Sequence, residues 1–386
     1  MSSTCPRYSL ATLTAQALGN IDEQTKSLVL PIYPATTYQR DADNQYRSGN
    51  IYSRDDNPTY KPVEDLLCQL EKGSDALLFS SGMAAAVSVL QALRPGDHVI
   101  APEVMYWSLR NWLLDFATQW GLRITLVDCT QTDAVAAAIR PGQTKLVWLE
   151  TPANPLWSLS DIAAISQLCT RHDITLAVDS TCATPVLSQP LTLGADIVMH
   201  SATKYLNGHS DVIAGALICA RPTPIWERIR GIRRANGAVL SPHDASQLSR
   251  GMRTLFIRVR EACRNAKFLT DALQQNRYVT RVLYPGLLQG RALELARSQM
   301  PGGFGGMFSI EVQGGEPAAI QTAAHTQLWK RATSLGGVES LIEHRASVEG
   351  AGSPVPSTLL RLSTGIEDAS ELLADLEQAL SKAHES

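Results

Sequence analysis

The sequence predicts an α/β fold with a mostly parallel sheet, followed by a smaller α+β domain. Two observations favour this fold. From Pro62 onward, short apolar segments alternate with longer amphipathic ones, as in βαβ units whose strands form a buried parallel sheet. After about residue 250 this alternation ends. We therefore predict an N-terminal arm over residues 1–56, a large domain over 57–249 and a C-terminal α+β domain over 250–386.

The N-terminal arm is polar and aromatic and shows neither helical nor strand periodicity. A segment of this kind either packs on another surface, such as a neighbouring subunit, or forms a long surface loop. The large domain begins with VEDLLCQLEKG, whose apolar spacing predicts a helix that Gly73 closes.

The strands and helices of the large domain follow in pairs. Each strand is a short apolar run, and each helix is longer and amphipathic. The predicted pairs are ALLF (76–79) and AAAVSVLQAL, HVIAP and SLRNWLLDFATQWG, ITLVD and AVAAAI, KLVWLE and IAAISQLCTRH, before the two strands TLAVDS and ADIVMHS. In the C-terminal domain, VREACRNAKFLTDALQQ and DASELLADLEQALSKA predict helices, and GGMFSIEV and TLLRLSTG predict strands.

The composition excludes several classes of protein. The 386 residues are 44% hydrophobic, enough for a sizeable core, and the net charge of -3 gives no basic field for nucleic acid. Seven widely spaced cysteines without a CxxC pair predict neither a disulfide framework nor a zinc ribbon, and eight scattered histidines form no metal motif. The N-terminus lacks a signal-peptide core, and no stretch approaches the roughly 20 apolar residues that span a bilayer. We expect a cytoplasmic protein whose partners are small molecules and other protein chains.

In open α/β sheets, chemistry gathers beyond the carboxyl ends of the strands. Lys204 directly follows the predicted strand ADIVMHS, where burial would lower the pKa of its amine and suit it to a Schiff base. The hydroxyls of Ser201 and Thr203 beside it could donate hydrogen bonds to a phosphate. The alternative is an exposed loop lysine.

A carboxylate, Asp179, ends the preceding strand TLAVDS and is followed by Thr181. An aspartate there can pair with a protonated ring nitrogen such as that of pyridoxal. The alternative is a turn-forming or helix-capping aspartate. A strand-end aspartate and a strand-end lysine together are far more specific than either alone.

Three further segments supply candidates. Gly82 and Met83 lie between a strand and a helix, where free N–H groups bind phosphate, unless the segment is only a tight turn. Tyr106 follows HVIAP and could stack on a planar cofactor or transfer a proton, or could simply pack with Trp107 in a core or interface. Arg361 in TLLRLSTG could grip a substrate carboxylate, or could be a surface arginine on an edge strand.

These segments occur in an order that resembles the Cys/Met-metabolism family of pyridoxal-phosphate enzymes. The matching motifs are YSRDDNPT, SSGMAA, DST, HSATKYLNGHSD, SLGGVESL and LLRLSTGIED, and they run nearly from end to end. They are specific for the family but not for one reaction. The resemblance implies fold-type I, an aspartate-aminotransferase-like α/β architecture, with pyridoxal 5'-phosphate as cofactor.

The resemblance also implies roles for individual residues. Lys204 would hold the cofactor covalently, and Asp179, with Thr181 beside it, would pair with the pyridine nitrogen. The phosphate would contact Gly82, Met83, Ser201 and Thr203, together with Tyr52 and Arg54 from the arm of a neighbouring subunit. Tyr106 would stack over the cofactor ring, and Ser334 and Arg361 would hold the substrate's α-carboxylate. The implied assembly is a homo-oligomer, a tetramer built from dimers that share active sites.

The sequence departs from the family at two predicted substrate positions. Trp107 stands where family members usually have Gly, or Glu in some β-lyases, after the stacking tyrosine. Thr333 stands where cystathionine γ-synthases and γ-lyases commonly carry a Glu that can receive a distal ammonium. In addition, position 108 is Ser108, where methionine γ-lyases have a thiol nearby. We expect Trp107 and Thr333 to shape the substrate pocket.

The favoured reaction is elimination of a γ-substituent from a cystathionine-like amino acid, which gives a 2-oxo acid or homoserine-type product and ammonia. The alternatives are a cystathionine β-lyase, a γ-replacement transferase such as cystathionine γ-synthase or an O-acylhomoserine sulfhydrylase, and a canavanine γ-lyase. A non-catalytic pyridoxal-phosphate-binding protein is a further class, but Lys204, Asp179, Tyr106 and Arg361 are all competent residues. A nicotinamide oxidoreductase would need a glycine fingerprint that the chain lacks.

Overall fold

The computed structural model describes residues 8–350 and 353–385. Its first sheet has seven strands in the order β1-β7-β6-β5-β4-β2-β3. All pairs are parallel except the two that β7 makes with β1 and β6. The strands are β1 (Asp75–Phe79), β2 (His98–Pro102), β3 (Arg123–Val127), β4 (Thr144–Glu150), β5 (Thr175–Asp179), β6 (Ile197–His200) and β7 (Gly215–Cys219). The predicted mostly parallel sheet is confirmed.

Helices cover both faces of this sheet. In β1, Leu77 and Phe79 pack towards α3 and α8, whereas Ala76 and Leu78 pack towards α2 and α9 on the opposite face, as the twofold period of a strand requires. The helices are α1 (Leu10–Ala15), α2 (Lys61–Glu71), α3 (Gly82–Gln91), α4 (Trp107–Trp112, continued by a π-helical turn over Leu113–Ala117), α5 (Thr132–Ala138), α6 (Ile162–Arg171), α7 (Thr184–Leu187), α8 (Pro224–Asn236), α9 (Pro242–Met252) and α10 (Leu255–Leu273).

A second sheet of five strands follows, in the order β10-β11-β12-β9-β8, and only its β10–β11 pair is parallel. Its strands are β8 (Val279–Leu283), β9 (Met307–Val312), β10 (Lys330–Arg331), β11 (Leu341–His344) and β12 (Leu359–Ser363). The helices of this part are α11 (Gly290–Gln299), α12 (Gly315–His325), α13 (Arg345–Glu349) and α14 (Ala369–Glu385). Short 3-10 turns occur at Ala17–Gly19, Pro190–Leu193 and Pro285–Leu287. Buried side chains of α10, α12 and α14 form one apolar cluster with β9 and β12.

The strand β7 was not predicted. Its first residue, Gly215, allows it to lie between β1 and β6. A Cβ atom at Gly215 would overlap the carbonyl oxygen of Ser81, so only glycine lets β7 pass beside the start of α3. The predicted closing residue of α2 was wrong by one position. Lys72 adopts the left-handed conformation there with φ 57°, and Gly73 is required because a Cβ atom would overlap the Ile218 side chain.

Residues 1–7, including Cys5, lie outside the described part of the arm. From residue 8 to 56 the arm contains α1, after which its backbone is mostly irregular. In residues 8–350 and 353–385, no helix is long and apolar enough to cross a membrane. The same residues contain no cluster of three His, Cys, Asp or Glu side chains that could hold a metal ion. The predicted domain boundaries at 56 and 249 stay a prediction.

Candidate active site

A cavity of about 270 Å³ opens at the carboxyl ends of β1, β2, β4, β5 and β6. This volume is near the lower end of the range for small-molecule sites. The cavity gathers most of the residues singled out in the sequence, namely Gly82, Met83, Tyr106, Asp179, Thr181, Ser201, Thr203, Lys204, Thr333, Ser334 and Arg361. The strand-end rule therefore located the site, although β12 and the loop before β11 come from the second sheet.

Lys204 lies in the turn that follows β6. Its Nζ donates a hydrogen bond of 2.7 Å to Ser334 Oγ. Burial, together with the nearby Arg361 guanidinium, lowers the pKa of the amine to about 8. A larger fraction of the amine is thus unprotonated and nucleophilic near neutral pH than for an exposed lysine. The alternative of an exposed loop lysine does not hold.

Arg361 is a buried residue in β12, the central strand of the second sheet. Its Nη2 donates to the Ser334 carbonyl oxygen at 2.8 Å, and its Nη1 lies 3.4 Å from Asn154 Oδ1. Ser334 has a φ of 102°, a region that non-glycine residues avoid, and such strain is common at functional sites. The alternative of a surface arginine on an edge strand is excluded, because β12 pairs with β9 and β11 on its two sides.

Asp179 is the last residue of β5 and is buried. Its Oδ1 accepts hydrogen bonds from the Thr181 backbone N–H at 2.9 Å and from Thr181 Oγ1 at 2.5 Å. Thr181 Oγ1 in turn accepts the Ser201 N–H at 2.8 Å. Burial raises the pKa of Asp179, and the two bonds from Thr181 oppose this shift. A cationic partner in the cavity would therefore stabilise its charged form.

The start of α3 provides donors for an anion. Ser81 caps the helix, since its Oγ accepts the Ala84 N–H at 3.0 Å. The N–H groups of Gly82 and Met83 belong to the first turn, where the helix itself offers no acceptor. A Cβ atom at Gly82 would lie 2.9 Å from Ser201 Oγ, so glycine allows the helix start and the Ser201 hydroxyl to meet.

Thr203 lines the same region but is already engaged. Its Oγ1 donates to the Ala214 carbonyl oxygen at 3.1 Å and accepts the Ala214 N–H at 3.0 Å. In the structure it joins the Lys204 turn to β7. A phosphate contact from this hydroxyl would require its bond to the Ala214 carbonyl oxygen to open, so Ser201 is the better placed of the two predicted hydroxyl donors.

The donor set fits pyridoxal phosphate. The cavity brings together an amine of lowered pKa at Lys204, a carboxylate at Asp179 suited to a ring nitrogen, and free N–H groups beside the Ser201 hydroxyl for a phosphate. The missing Cβ of Gly82 is part of this fit, because a larger residue would fill the space between α3 and Ser201.

Tyr106 precedes α4 at the rim of the cavity, and 43% of its surface is exposed. Its backbone N–H donates to Glu150 Oε2 at 2.7 Å. Trp107 does not line the cavity in the described chain; the Arg110 guanidinium lies 5.3 Å from its ring centre. The expected contact between Trp107 and the substrate therefore finds no support within one chain.

Tyr52 and Arg54 also lie away from this cavity among the described residues. The Arg54 guanidinium is 5.4 Å from the Tyr52 ring centre, and 43% of Tyr52 is exposed. Tyr52 is fixed to the arm by a β-bridge with Thr37. Their contact with the phosphate of a neighbouring subunit stays a prediction.

The residues of the cavity wall that were not predicted include Glu150, Asn154, Cys182 and Arg345. Glu150 ends β4 directly beside Asp179 in the sheet register, so the strand-end rule could have found it. Its Oε1 accepts the Asn154 N–H at 2.9 Å, and burial, together with the Asp179 charge, raises its pKa to about 8. Arg345 opens the short helix α13, and no local pattern marks it.

The chain is similar to known proteins over nearly its whole length. A family model described as Cys/Met metabolism PLP-dependent enzyme matches residues 11–381. Cystathionine gamma-synthase of Mycobacterium tuberculosis is 44% identical over 365 residues, which cover 93% of each chain. Cystathionine gamma-lyase of Rattus norvegicus is 41% identical over 369 residues, 93% of this chain and 92% of the other. The crystal structure of metB from Corynebacterium glutamicum superposes with a TM-score of 0.94 at 40% identity, covering 98% of this chain and 99% of that one.

Proposed function

The chain belongs to the Cys/Met-metabolism family of pyridoxal-phosphate-dependent enzymes, as its motifs indicated, and on that premise we propose that it is a lyase that removes a γ-substituent from an L-α-amino acid. Elimination consumes one water and yields a 2-oxo acid, ammonia and the protonated leaving group. Where water adds at the γ-carbon instead, the product is homoserine. The fold is of type I, and the family depends on pyridoxal phosphate.

The proposal rests on Ser334, which forms hydrogen bonds with both Lys204 and Arg361. Ser334 accepts a hydrogen bond from Lys204 Nζ at its hydroxyl and from Arg361 Nη2 at its carbonyl oxygen. An amino acid whose carboxylate binds Arg361 would thus place its amino group and α-carbon next to Lys204. This supports an α-amino acid as substrate and proton transfer at its α-carbon.

The chain's own residues then divide the work. Pyridoxal phosphate, when bound, would withdraw electrons from the substrate's α-carbon. Asp179 would keep the ring nitrogen protonated, and the first turn of α3 with Ser201 would hold the phosphate. Lys204 would accept the α-proton at Nζ, because its lowered pKa makes it a general base near neutral pH. Tyr106, at the cavity rim, would cover the ring and protonate the leaving group.

The γ-carbon is favoured over the β-carbon because both curated relatives reported above carry gamma in their names. Thr333 lines the cavity and provides no carboxylate for a distal ammonium, which favours a γ-substituent without an amino-acid head group. The second candidate is γ-replacement by a thiol, which the 44% identity to a cystathionine gamma-synthase supports. An oxygen-linked γ-substituent, as in canavanine, remains a third substrate to test.

We also propose that the enzyme is a homo-oligomer. Tyr52 and Arg54 lie away from the cavity of their own chain, which leaves their arm free to reach another. The exposed apolar residues of the arm, Leu28, Val29 and Ile51, are suited to burial against a second subunit. A cytoplasmic location stays an expectation from the sequence.

Product identification tests the reaction. The holoenzyme is incubated separately with cystathionine, methionine, cysteine, an O-acylhomoserine and canavanine, with and without an added thiol, and the products are identified by mass spectrometry. We expect a four-carbon 2-oxo acid or homoserine, formed without thiol and absent with Lys204→Ala. A thioether that forms only with thiol would establish replacement, and pyruvate with homocysteine from cystathionine would establish β-elimination. If the holoenzyme turns over none of these compounds, the proposed reaction is refuted.

A further inference from the structure

Four charged side chains alternate in sign from the cavity wall inward: Arg361, Glu343, Arg345 and Glu349, here called the ion-pair chain. The Glu343 carboxylate oxygen Oε2 lies 2.6 Å from Arg361 Nη2 and 2.8 Å from Arg345 Nη1. Arg345 Nη2 lies 2.7 Å from Glu349 Oε1. All four side chains are at least nine-tenths buried.

Three elements bring these residues together. Glu343 in β11 lies directly opposite Arg361 in β12 in the antiparallel register. Arg345 opens α13 and Glu349 ends it, one helical turn away. Glu349 is fixed further by a hydrogen bond of 2.6 Å from Ser353 Oγ to Oε2. The ion-pair chain thus connects the predicted carboxylate anchor to a separate helix.

Stability alone does not explain such a cluster. Desolvation of buried charges usually offsets their attraction, and apolar residues of similar volume do as well or better. The two arginines line the cavity, whereas the two glutamates are behind it. The two arginines are therefore placed to act on a ligand bound in the cavity.

Glu343 Oε2, the oxygen that both arginines contact, indicates what that role is. Burial opposes ionisation of Glu343, but the Arg361 and Arg345 guanidinium groups outweigh it and lower the pKa of this carboxyl, so Glu343 is an anion. An anion beside Arg361 competes with a substrate carboxylate for the same guanidinium. Arg345 draws part of that charge away because it binds the same oxygen.

We propose that Arg345 is a positioning residue that keeps Arg361 available for the substrate's α-carboxylate by sharing Glu343 with it. Nη2 of Arg361 is held by Ser334 and Glu343, which fixes the plane of the guanidinium. Its Nε–H and one Nη1–H have no hydrogen-bond partner among the described residues. They lie on different edges of the guanidinium, and each can donate a single hydrogen bond to a carboxylate oxygen. The inference rests on the proposed function, since it takes Arg361 as the anchor.

The test compares two ligands that differ only by a carboxylate. L-2-Aminobutyrate binds without a γ-substituent to eliminate, and propylamine is its counterpart without the carboxyl group. Both are titrated into holoenzyme and followed by the visible spectrum of the cofactor. The main variant is Arg345→Met with Glu349→Gln, which removes one charge of each sign and leaves no unpaired buried carboxylate.

In that double variant we expect the Kd of L-2-aminobutyrate to rise about tenfold while the Kd of propylamine changes less than about twofold. In turnover, KM should rise with kcat retained. Arg345→Lys should bind L-2-aminobutyrate with most of the wild-type affinity, because lysine keeps a positive charge beside the Glu343 carboxylate. Arg233→Met with Glu64→Gln is the matched control: these two side chains form a buried ion pair at 3.8 Å, and neither lines the cavity.

Equal weakening of both ligands, or no weakening of either, would overturn the positioning role. If the double variant does not fold, the single Arg345→Lys variant decides, since a smaller loss confined to L-2-aminobutyrate is still expected from it. Failure of the proposed function shows separately, as holoenzyme that turns over no γ-substituted amino acid. The ligand titration tests the role of Arg345 whether or not the holoenzyme turns over a γ-substituted amino acid.

Discussion

Burial and charge act in the same direction on the amine of Lys204. The cavity removes it from water, and Arg361 adds a like charge, so the pKa of this lysine falls to about 8. The amine carries a proton below that pH and is free above it. The position just past a buried strand predicted this behaviour, but the like charge comes from β12, more than 150 residues away in the chain.

This shift gives a pH dependence for loading the cofactor. Only the unprotonated amine attacks an aldehyde, so the rate of reconstitution of cofactor-free protein should rise with pH and level off above about 8. The rise in visible absorbance after mixing with pyridoxal phosphate measures this rate. Nα-Acetyllysine in solution is the control, and its reaction should still increase up to about pH 10.4. A midpoint near that of the control would contradict the lowered pKa.

At the scale of elements, the start of α3 depends on the absence of one side chain. A Cβ atom at Gly82 would come within 2.9 Å of both Cβ and Oγ of Ser201. Neither atom is the flexible end of a long side chain, so the helix start or the Ser201 turn would have to move. That movement would separate the N–H groups from the hydroxyl that together form the predicted phosphate site.

Gly82→Ala should therefore weaken cofactor binding about tenfold or more, since overpacking of this kind costs about 1–3 kcal/mol. Equilibrium titration with pyridoxal phosphate measures the effect. Gly231→Ala is the matched control: it lies inside α8 with nothing within 4 Å of its added Cβ, and it should raise the free energy of unfolding by about 0.5–1 kcal/mol. Unchanged cofactor affinity in Gly82→Ala would argue against a phosphate at this helix start.

Elements differ in how far the sequence predicted them. The pairs of strand and helix between β1 and β6 have local periodicity, and their predicted positions agree with the structure within one or two residues. In contrast, β7, β8, β10 and β11 were not predicted. β11 is only four residues long, and its place is set by pairing with β10 and β12. A strand this short carries little local pattern, so its pairing, rather than its sequence, identifies it.

At the scale of the whole molecule, the proposed exchange of arms between subunits has a direct test. A Lys204→Ala chain keeps a normal arm, and an Arg54→Ala chain keeps a normal lysine. If Arg54 acts in the neighbouring site, a mixed dimer contains one site in which both residues are present. Refolding the two inactive variants together should restore activity to about a quarter of the wild-type level.

The control for this test is each variant refolded alone, which should stay inactive. Random pairing makes about half of the dimers mixed, and one of their two sites is complete, which accounts for the quarter. Activity that never recovers on mixing would show that Arg54 acts within its own chain. Activity of the Arg54→Ala variant refolded alone would show that Arg54 plays no part in the site. The same samples report the oligomeric state by light scattering.

The sequence by itself determined the cofactor chemistry and the family of this protein. Lys204 and the Gly82 turn follow a strand, Asp179 ends one, and parallel strands bring such positions to one edge of a sheet. Only the tertiary structure decided how Arg361, the proposed carboxylate anchor, is held. Arg361, Glu343 and Arg345 come from β12, β11 and α13, and no short-range pattern records which side chains meet across an antiparallel sheet. Their contacts depend on register and burial, which exist only once the chain has folded.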